Sequence, residues 1–562
     1  MRKKLPIGIS DFKKVIEGDY YYFDKTELIS KIMEEAGEVK LFTRPRRFGK
    51  TLNMSMIKYF FDVKNKDENR KLFENLKISK SKYFDLQGKN PVIFISFKNY
   101  NKSNWEGGME YIRSLIASLY DEFYELCEKL NPKNKRFFEK IWMEEPDTTN
   151  TNIENSLLEL TKFLYQEYGK KVVLLIDEYD QPIINSYVHG YYEEAIEFFK
   201  SFYGSVLKDN NYLEMGIMTG ILRVAKENIF SGLNNLQVYT ILDNRFTEYF
   251  GIMEDEVDNA VKDFNLEYEL KDVQKWYNGY LFGNLKVYNP WSINSFLDHK
   301  KLKPYWVNTS GNDLIKVYLI RLKNEIFDDF SKLLNKGAIS KRINDNMTFS
   351  NLESNYEENI WNLFFHSGYL TLAEEVKNEE VYLKIPNEEI LKMFSTMFID
   401  VYFENHNTFF NMTYALKNGE IEIFKKELRK ILLENVGVFD VSGNYKEQFY
   451  HGLMLGMVLS LKNEYEITSN NFSGKGRYDL MLKPKNLEKR KEGIILEFKV
   501  INAKDGINQN EVQEKLQEEC AIALKQITEK EYISALKNAG VENILKIGVA
   551  FLGKEMEVKF ER

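Results

Sequence analysis

Leu41-Phe-Thr-Arg-Pro-Arg-Arg-Phe-Gly-Lys-Thr-Leu52 decides how the first half of this chain is read. Lys40–Thr43 reads as a short buried strand and Thr51–Phe61 as a helix, with Gly49, Lys50 and Thr51 at the junction. Such a junction turns backbone N–H groups and a helix N-terminus toward phosphates. Lys50 is then placed to reach the β- and γ-phosphates of ATP, and the Thr51 hydroxyl to sit on Mg²⁺. Arg46, Arg47, Phe48 and Gly49 form the rest of the expected nucleotide-binding loop. In G-x-x-x-x-G-K-[ST] the first glycine position is occupied here by Arg44, so the loop's first turn must differ.

Further along, Val172-Val-Leu-Leu-Ile-Asp177-Glu178 is an apolar strand that ends in two carboxylates. Asp177 is expected to hold Mg²⁺ through water, and Glu178 to orient or deprotonate the attacking water. Thr219 ends a strand over Met215–Met218, where a polar sensor of the γ-phosphate would lie, and Arg223 follows as a sensor or finger. The same two residues read equally as a capping threonine and a surface arginine. Arg46 and Arg47 can bind phosphate or pair with the acidic cluster Asp177, Glu178 and Asp180. With a further strand at Val92–Phe97 and helices at Tyr111–Lys129 and Asn155–Tyr168, strands and helices alternate, which predicts a parallel sheet covered on both faces.

Bulk properties narrow the class. The chain has 562 residues, 43% hydrophobic and 29% charged, the range of a folded protein of several domains. No run approaches the about 20 apolar residues that cross a bilayer, and the start MRKKLPIGISDF lacks an apolar leader, so no membrane association is expected. Only Cys127 and Cys520 occur, which supplies neither a disulfide framework nor a zinc cluster and fits the cytoplasm. A formal net charge of −7 argues against a protein that coats nucleic acid, but leaves room for a local basic groove.

The last third changes character. From Leu302 to Arg429 the pattern is mainly helical, with Trp361–Glu375 joining a helix to a small sheet. After Asn435 it runs helix (Glu447–Leu461), strand (Tyr465–Ser469), hairpin (Arg477–Val500), helix (Gln509–Lys525) and strand (Lys546–Leu552). Within the hairpin, period-2 alternation puts Glu497 and Lys499 on one strand face, and Asp479 on the neighbouring strand can approach them. Two carboxylates brought together at strand ends repel unless a cation neutralises them, and Mg²⁺, with Mn²⁺ as an alternative, suits that site. Lys499 would orient a metal-bound water and balance charge on a pentacoordinate phosphate. Lys475, Arg477, Lys483, Lys485, Lys489, Arg490 and Lys491 crowd the hairpin. Glu447 can add a carboxylate, while Gln526 and Tyr532 lie on the following helical segment as secondary candidates.

With these residues in view, the chain resembles the bacterial AAA-ATPase-like proteins that carry a C-terminal PD-(D/E)XK nuclease domain. The resemblance runs nearly end to end, through Leu5-Pro-Ile-Gly-Ile9, Asp24-Lys-Thr26, Arg44-Pro-Arg-Arg-Phe-Gly-Lys-Thr51 and Leu175-Ile-Asp-Glu-Tyr-Asp180. It continues through Phe230-Ser-Gly-Leu-Asn-Asn235, Trp276-Tyr-Asn-Gly-Tyr280, Tyr288-Asn-Pro-Trp-Ser292, Tyr450-His451, Gly476-Arg-Tyr-Asp479 and Glu497-Phe-Lys499. The resemblance implies that Arg44 is a family trait and that an ATPase is coupled to a nuclease acting on nucleic acid, DNA above all, in defence against foreign DNA. The expected architecture is α/β throughout: a P-loop NTPase parallel-sheet domain over residues 1–300, a mainly helical middle domain over 301–434, and a restriction-endonuclease-like α/β domain over 435–562. A homo-oligomer is compatible with this reading. The competing expectation is an ATP-dependent signalling switch whose C-terminal domain binds a partner or nucleic acid without cutting.

Overall fold

The computed structural model describes residues 3–223, 235–266, 270–306, 326–334, 336–343, 356–374, 380–402, 406–434, 446–458, 460–461, 464–488, 492–501 and 509–562. The chain forms two compact units, Met1–Ser310 with Ser340–Glu389, and Gly311–Ile339 with Ile390–Arg562. The mainly helical middle of the sequence is thus divided between them.

The first unit is built on a parallel sheet of β1 (Val39–Thr43), β2 (Val92–Ser96), β3 (Val172–Asp177), β4 (Leu213–Gly220) and β5 (Leu236–Tyr239), in the order β2-β3-β4-β1-β5. All six residues of β3 are buried, as its unbroken apolar run requires when helices cover both faces. The edge strand β5 escapes sequence reading because it is short and half-buried over most of its length, so neither an apolar run nor alternation marks it. β1 and β3 flank β4, and all three end on one side of the sheet, where parallel α/β folds place ligands. The helix Trp105–Asp121 ends earlier than the reading Tyr111–Lys129, and the remainder, Tyr124–Lys129, is a 3₁₀ turn.

Beyond the parallel sheet the same unit adds the hairpin β6 (Tyr280–Phe282) and β7 (Leu285–Val287), and a small sheet of β8 (Ile339–Arg342), β9 (Thr371–Leu372) and β10 (Glu380–Lys384). The helix Pro290–His299 starts at Asn289, whose side-chain oxygen accepts from Trp291 N at 2.9 Å and Ser292 N at 3.3 Å. The Ser292 hydroxyl donates to Glu389 Oε2 at 2.7 Å, and Trp306 N donates to Glu389 Oε1 at 2.8 Å.

The second unit contains a mixed sheet of β11 (Tyr465–Ser473), β12 (Gly476–Pro484), β13 (Glu492–Val500), β14 (Asn543–Leu552) and β15 (Glu555–Glu561), in sequence order. Only β13 and β14 run parallel; the other neighbours are antiparallel. The crossover between the parallel pair contains the helix Gln509–Glu529, as a parallel connection demands. Gly548 on β14 lets that helix approach closely: a Cβ there would stand 2.5 Å from the Cys520 carbonyl oxygen. Tyr450 stacks on Phe551 at 4.2 Å and donates its hydroxyl to the Gly553 carbonyl at 2.6 Å. β15 had a legible signal, since Glu555-Met-Glu-Val-Lys-Phe-Glu561 alternates strictly.

Glu389 is fully buried, and burial pushes its carboxyl up to about 7 against the hydrogen bonds from Trp306 and Ser292 that favour the charge. A folded-state value above the ordinary 4.5 means that its protonated form stabilises the unit fully below pH 4.5, and that this contribution is lost as pH rises through about 7. Denaturation of the wild type and Glu389→Gln across this range should show their stability difference drifting by on the order of 3 kcal/mol against the wild type as pH rises. A pH-independent difference would contradict the assignment.

Candidate functional site

Two clusters of chemically active side chains stand out, one in each unit. In the first, β1 leads directly into the loop Arg44–Gly49, and Arg44 N donates to the Gly220 carbonyl at 3.0 Å, pinning the loop's start to the end of β4. Arg47 and Gly49 both have left-handed backbones, at φ +69° and +81°, and turn the chain into the helix Lys50–Phe61. Gly49 is needed for that conformation rather than for space, because a Cβ there would meet nothing within 4 Å. Phe48 is wholly buried against Tyr280 and Phe282, with ring centroids 5.0 Å away in each case.

The Lys50 ammonium lies inside the loop and donates to the Arg44 and Pro45 carbonyls at 2.9 and 3.0 Å. Burial lowers its pKa, while Glu178, Asp177 and Asp180 nearby oppose that shift. Asp177, fully buried at the end of β3, accepts three hydroxyls: Thr51 at 2.9 Å, Ser96 at 3.2 Å and Thr219 at 2.6 Å. Ser96, at the end of β2, was not singled out in the sequence; a polar residue closing an apolar strand beside β3 was the only signal. Glu178 follows with a left-handed backbone (φ +54°), and burial raises its pKa, opposed first by Lys50. Asp180 holds the chain leaving β4, accepting from Ile221 N and Leu222 N at 2.8 Å each. Gly220 makes room for it, since a Cβ there would lie 2.7 Å from Asp180 Oδ1. Arg223 comes next and makes no hydrogen bond or ion pair among the described residues.

The loop arginines go three ways. Arg46 donates to Gln181 Oε1 at 3.4 Å. Arg47 lies over the Trp291 ring at 4.1 Å. Arg44, in the position of the consensus glycine, turns away from the loop into the interior and is fully buried. It donates to the Thr43 and Tyr239 carbonyls at 2.8 Å each and lies over Phe250 at 4.9 Å. Its Nε and Nη2 have no hydrogen-bond partner, and burial pushes its pKa down to about 9. Arg44 is therefore a tie between the ends of β1 and β5 rather than a loop-lining group.

In the second cluster, the ladder between β12 and β13 pairs Leu480 with Leu496 and is then continued by side chains. Phe498 N donates to Asp479 Oδ2 at 2.7 Å, and Asp479 N to Glu497 Oε2 at 3.3 Å. Glu497 is only 3% exposed. Its other oxygen accepts from the Gln526 amide, whose Oε1 in turn accepts from Lys499 Nζ at 2.7 Å. Lys499 Nζ stands 3.8 Å from Glu497 Oε1, and Gln526 also donates to the Tyr532 hydroxyl at 3.1 Å. Asp479, Glu497, Lys499, Gln526 and Tyr532 thus meet in one place.

Glu447 opens the helix Lys446–Val458, but its side chain lies outside the described residues, as do residues 224–234, which carry most of the Phe230–Asn235 motif. Among the described residues no group of three or more His, Cys, Asp or Glu side chains forms a ready metal cage. Asp479 and Glu497 nonetheless present oxygen donors of the kind Mg²⁺ takes together with waters. In the phosphate loop, Thr51 and Asp177 supply the equivalent oxygens beside Lys50. Of the basic residues around the hairpin, Lys475 pairs with Glu531 and Lys483 with Glu466, each at 2.6 Å, while 489–491 lie outside the described residues.

These features define a class: a phosphate-loop α/β domain carried in one chain with an α/β domain that brings two carboxylates and a lysine together. Residues 6–230 match the family described as Predicted AAA-ATPase, and residues 445–561 match the PD-(D/E)XK nuclease superfamily. The chain therefore carries an AAA-ATPase-like domain and a C-terminal PD-(D/E)XK nuclease-superfamily domain. It is also similar to an uncharacterized protein in the vnfD 5′ region of Azotobacter chroococcum mcd 1, 28% identical over 400 residues that cover 69% of this chain and 68% of that protein.

Restoring the consensus glycine should harm this protein. Arg44→Gly empties a buried volume and removes two charge-assisted bonds, so the first unit should lose roughly 2–4 kcal/mol of stability. Chemical denaturation checks this; an unchanged midpoint would show that Arg44 ties nothing.

Proposed function

We propose that the chain binds and hydrolyses ATP at its phosphate loop and uses the C-terminal site to cleave phosphodiester bonds of nucleic acid, DNA above all, with foreign DNA as its target in defence. The observation that carries this reading is the nearly inaccessible Glu497 beside Asp479 and Lys499. Burying a carboxylate is costly unless it is paired, and here a second carboxylate is drawn to the same place.

At the loop, Lys50 and the N-terminus of its helix would take the nucleotide phosphates, with Thr51 and Asp177 holding Mg²⁺. Glu178 is the proton acceptor for the attacking water, since burial raises its basicity toward the working range of a general base. Thr219 fixes Asp177, and Asp180 fixes the turn that leads to Arg223, the candidate sensor. At the C-terminal site, Asp479 and Glu497 would hold a divalent cation, which would supply charge neutralisation and an acidified water. Gln526 keeps Lys499 extended beside Glu497, where its ammonium can orient water and balance charge on phosphate. Tyr532 in turn fixes the Gln526 amide. Functionally, we assign residues 1–300 to nucleotide chemistry and 435–562 to cleavage.

A second reading, an ATP-dependent switch whose C-terminal domain binds without cutting, draws on the net charge of −7 and on the ion pairs that neutralise Lys475 and Lys483. Mutants separate the two. Lys50→Ala should weaken ATP binding at least about tenfold in calorimetry, because it removes the charge facing the phosphates. Glu178→Gln should keep affinity and slow turnover by ~10²–10⁴-fold.

For cleavage, Asp479→Ala and Glu497→Ala should each lose Mn²⁺ binding and DNA hydrolysis together. Lys499→Ala should retain Mn²⁺ and lose hydrolysis, because its role lies in the transition state. Wild-type rates in the carboxylate variants would refute the nuclease assignment; Mn²⁺ binding without cleavage in the wild type would favour the switch.

A further inference from the structure

Each polar side chain of the loop that a nucleotide would recruit is already engaged within the protein. Lys50 is bonded to the carbonyls of its own loop, Thr51 to Asp177, Arg46 to Gln181, and Arg47 lies over Trp291. The Arg47 engagement differs from the others, because its partner lies outside the segment matched to the ATPase family and belongs to the helix Pro290–His299.

Arg47 also sits in a left-handed backbone, which costs a residue with a side chain about 1 kcal/mol or more. The burial of the adjoining Phe48 and the stack on Trp291 help hold it there, alongside the attraction of the Glu178 carboxylate. A stacked guanidinium is worth about 0.5–2 kcal/mol. A charge-assisted bond to phosphate is roughly twice as strong as a neutral hydrogen bond and can be doubled in the bidentate geometry that arginine favours. Phosphate arriving at the loop therefore outcompetes the indole for Arg47.

The far side of Trp291 is connected. Its indole N–H donates to the Tyr305 carbonyl at 3.2 Å, and the next residue, Ser292, donates to Glu389 at 2.7 Å. Glu389 also accepts from Trp306 N at 2.8 Å, so one buried carboxylate gathers the start of the helix Pro290–His299 and the segment whose Tyr305 carbonyl accepts the indole N–H. Glu389 lies in the first turn of the helix Glu388–Tyr402 and is the last residue of the first unit; from Ile390 the same helix belongs to the second unit, which carries Asp479, Glu497 and Lys499.

We propose that the Arg47–Trp291 stack and the Ser292–Glu389–Trp306 bonds form one linkage that reports occupancy of the phosphate loop to the helix Glu388–Tyr402. The proposal rests on the nucleotide-binding reading above and adds the route by which the nucleotide state leaves the site. Binding withdraws Arg47 from Trp291, the indole and its helix N-terminus relax, and the change reaches the long helix through Glu389. Trp291, Ser292 and Glu389 are positioning residues in this scheme and touch neither nucleotide nor nucleic acid.

The test uses the full chain, ATP with Mg²⁺, and three readouts: calorimetry for binding, intrinsic fluorescence for Trp291, and backbone hydrogen exchange over 390–402. In the wild type, ATP should change the fluorescence and alter exchange in that helix severalfold. Trp291→Leu should still bind ATP, tightened by about 2- to 30-fold because binding no longer breaks the stack, while losing both responses, since the coupling contact is gone but the loop's phosphate donors remain. Ser292→Ala, a mild change, should keep the fluorescence response and lose the exchange response, which a merely structural role for Ser292 would not produce. An equal exchange response in the wild type and Trp291→Leu overturns the linkage, as does ATP binding with no response in the wild type. Absence of ATP binding to the wild type overturns the nucleotide reading itself, and the linkage with it.

Discussion

Asp177 lies at the C-terminal end of β3 with no solvent contact, and three hydroxyls from three other elements converge on it. An isolated buried carboxylate would be untenable, so these bonds are a condition of the fold as well as of the site. Ser96 brings in β2, Thr219 brings in β4, and Thr51 brings in the helix that follows the loop. Once those four ends are tied together, Lys50 and Glu178 have nowhere to stand except beside the carboxylate cluster. The position of each chemically active group in the first unit follows from satisfying one buried charge.

The second unit reaches a comparable end by a different route. At Glu497 the Asp479 N–H donates to one carboxylate oxygen, while the Gln526 side-chain amide donates to the other and accepts from Lys499. The amide's two-sided character keeps acid and base adjacent without letting them collapse into a close ion pair, and they remain 3.8 Å apart. That arrangement needs the helix Gln509–Glu529 close to the sheet, and Gly548 permits the approach. A close backbone approach at the ladder partner of Glu497 therefore bears directly on the geometry of the chemistry.

Arg44 shows how a departure from a consensus can be structural. A side chain where the phosphate-loop consensus has glycine would obstruct the loop if it pointed into the phosphate-binding space. It points instead between the ends of β1 and β5, where two carbonyls and aromatic faces receive the guanidinium. Aromatic residues from β6 also cover the buried Phe48, so the loop's shape depends on residues far downstream of it.

The sequence by itself determined the elements whose signals are local: the apolar runs of β1 to β4, the Gly49-Lys50-Thr51 junction, the Asp177-Glu178 strand end, and the alternation that puts Glu497 and Lys499 on one face. Each is set by periodicity or by a short motif, and both are readable from neighbours in the chain. The alternating β15 is legible in the same way, whereas the short edge strand β5 carries no such signal. The tertiary structure alone decided that Ser96 joins Asp177, that Gln526 bridges Glu497 and Lys499, that Arg44 faces inward, and that Arg47 lies on Trp291. These partners are distant in sequence, and a hydrogen bond or a stacked ring depends on separation in space, which no spacing along the chain encodes.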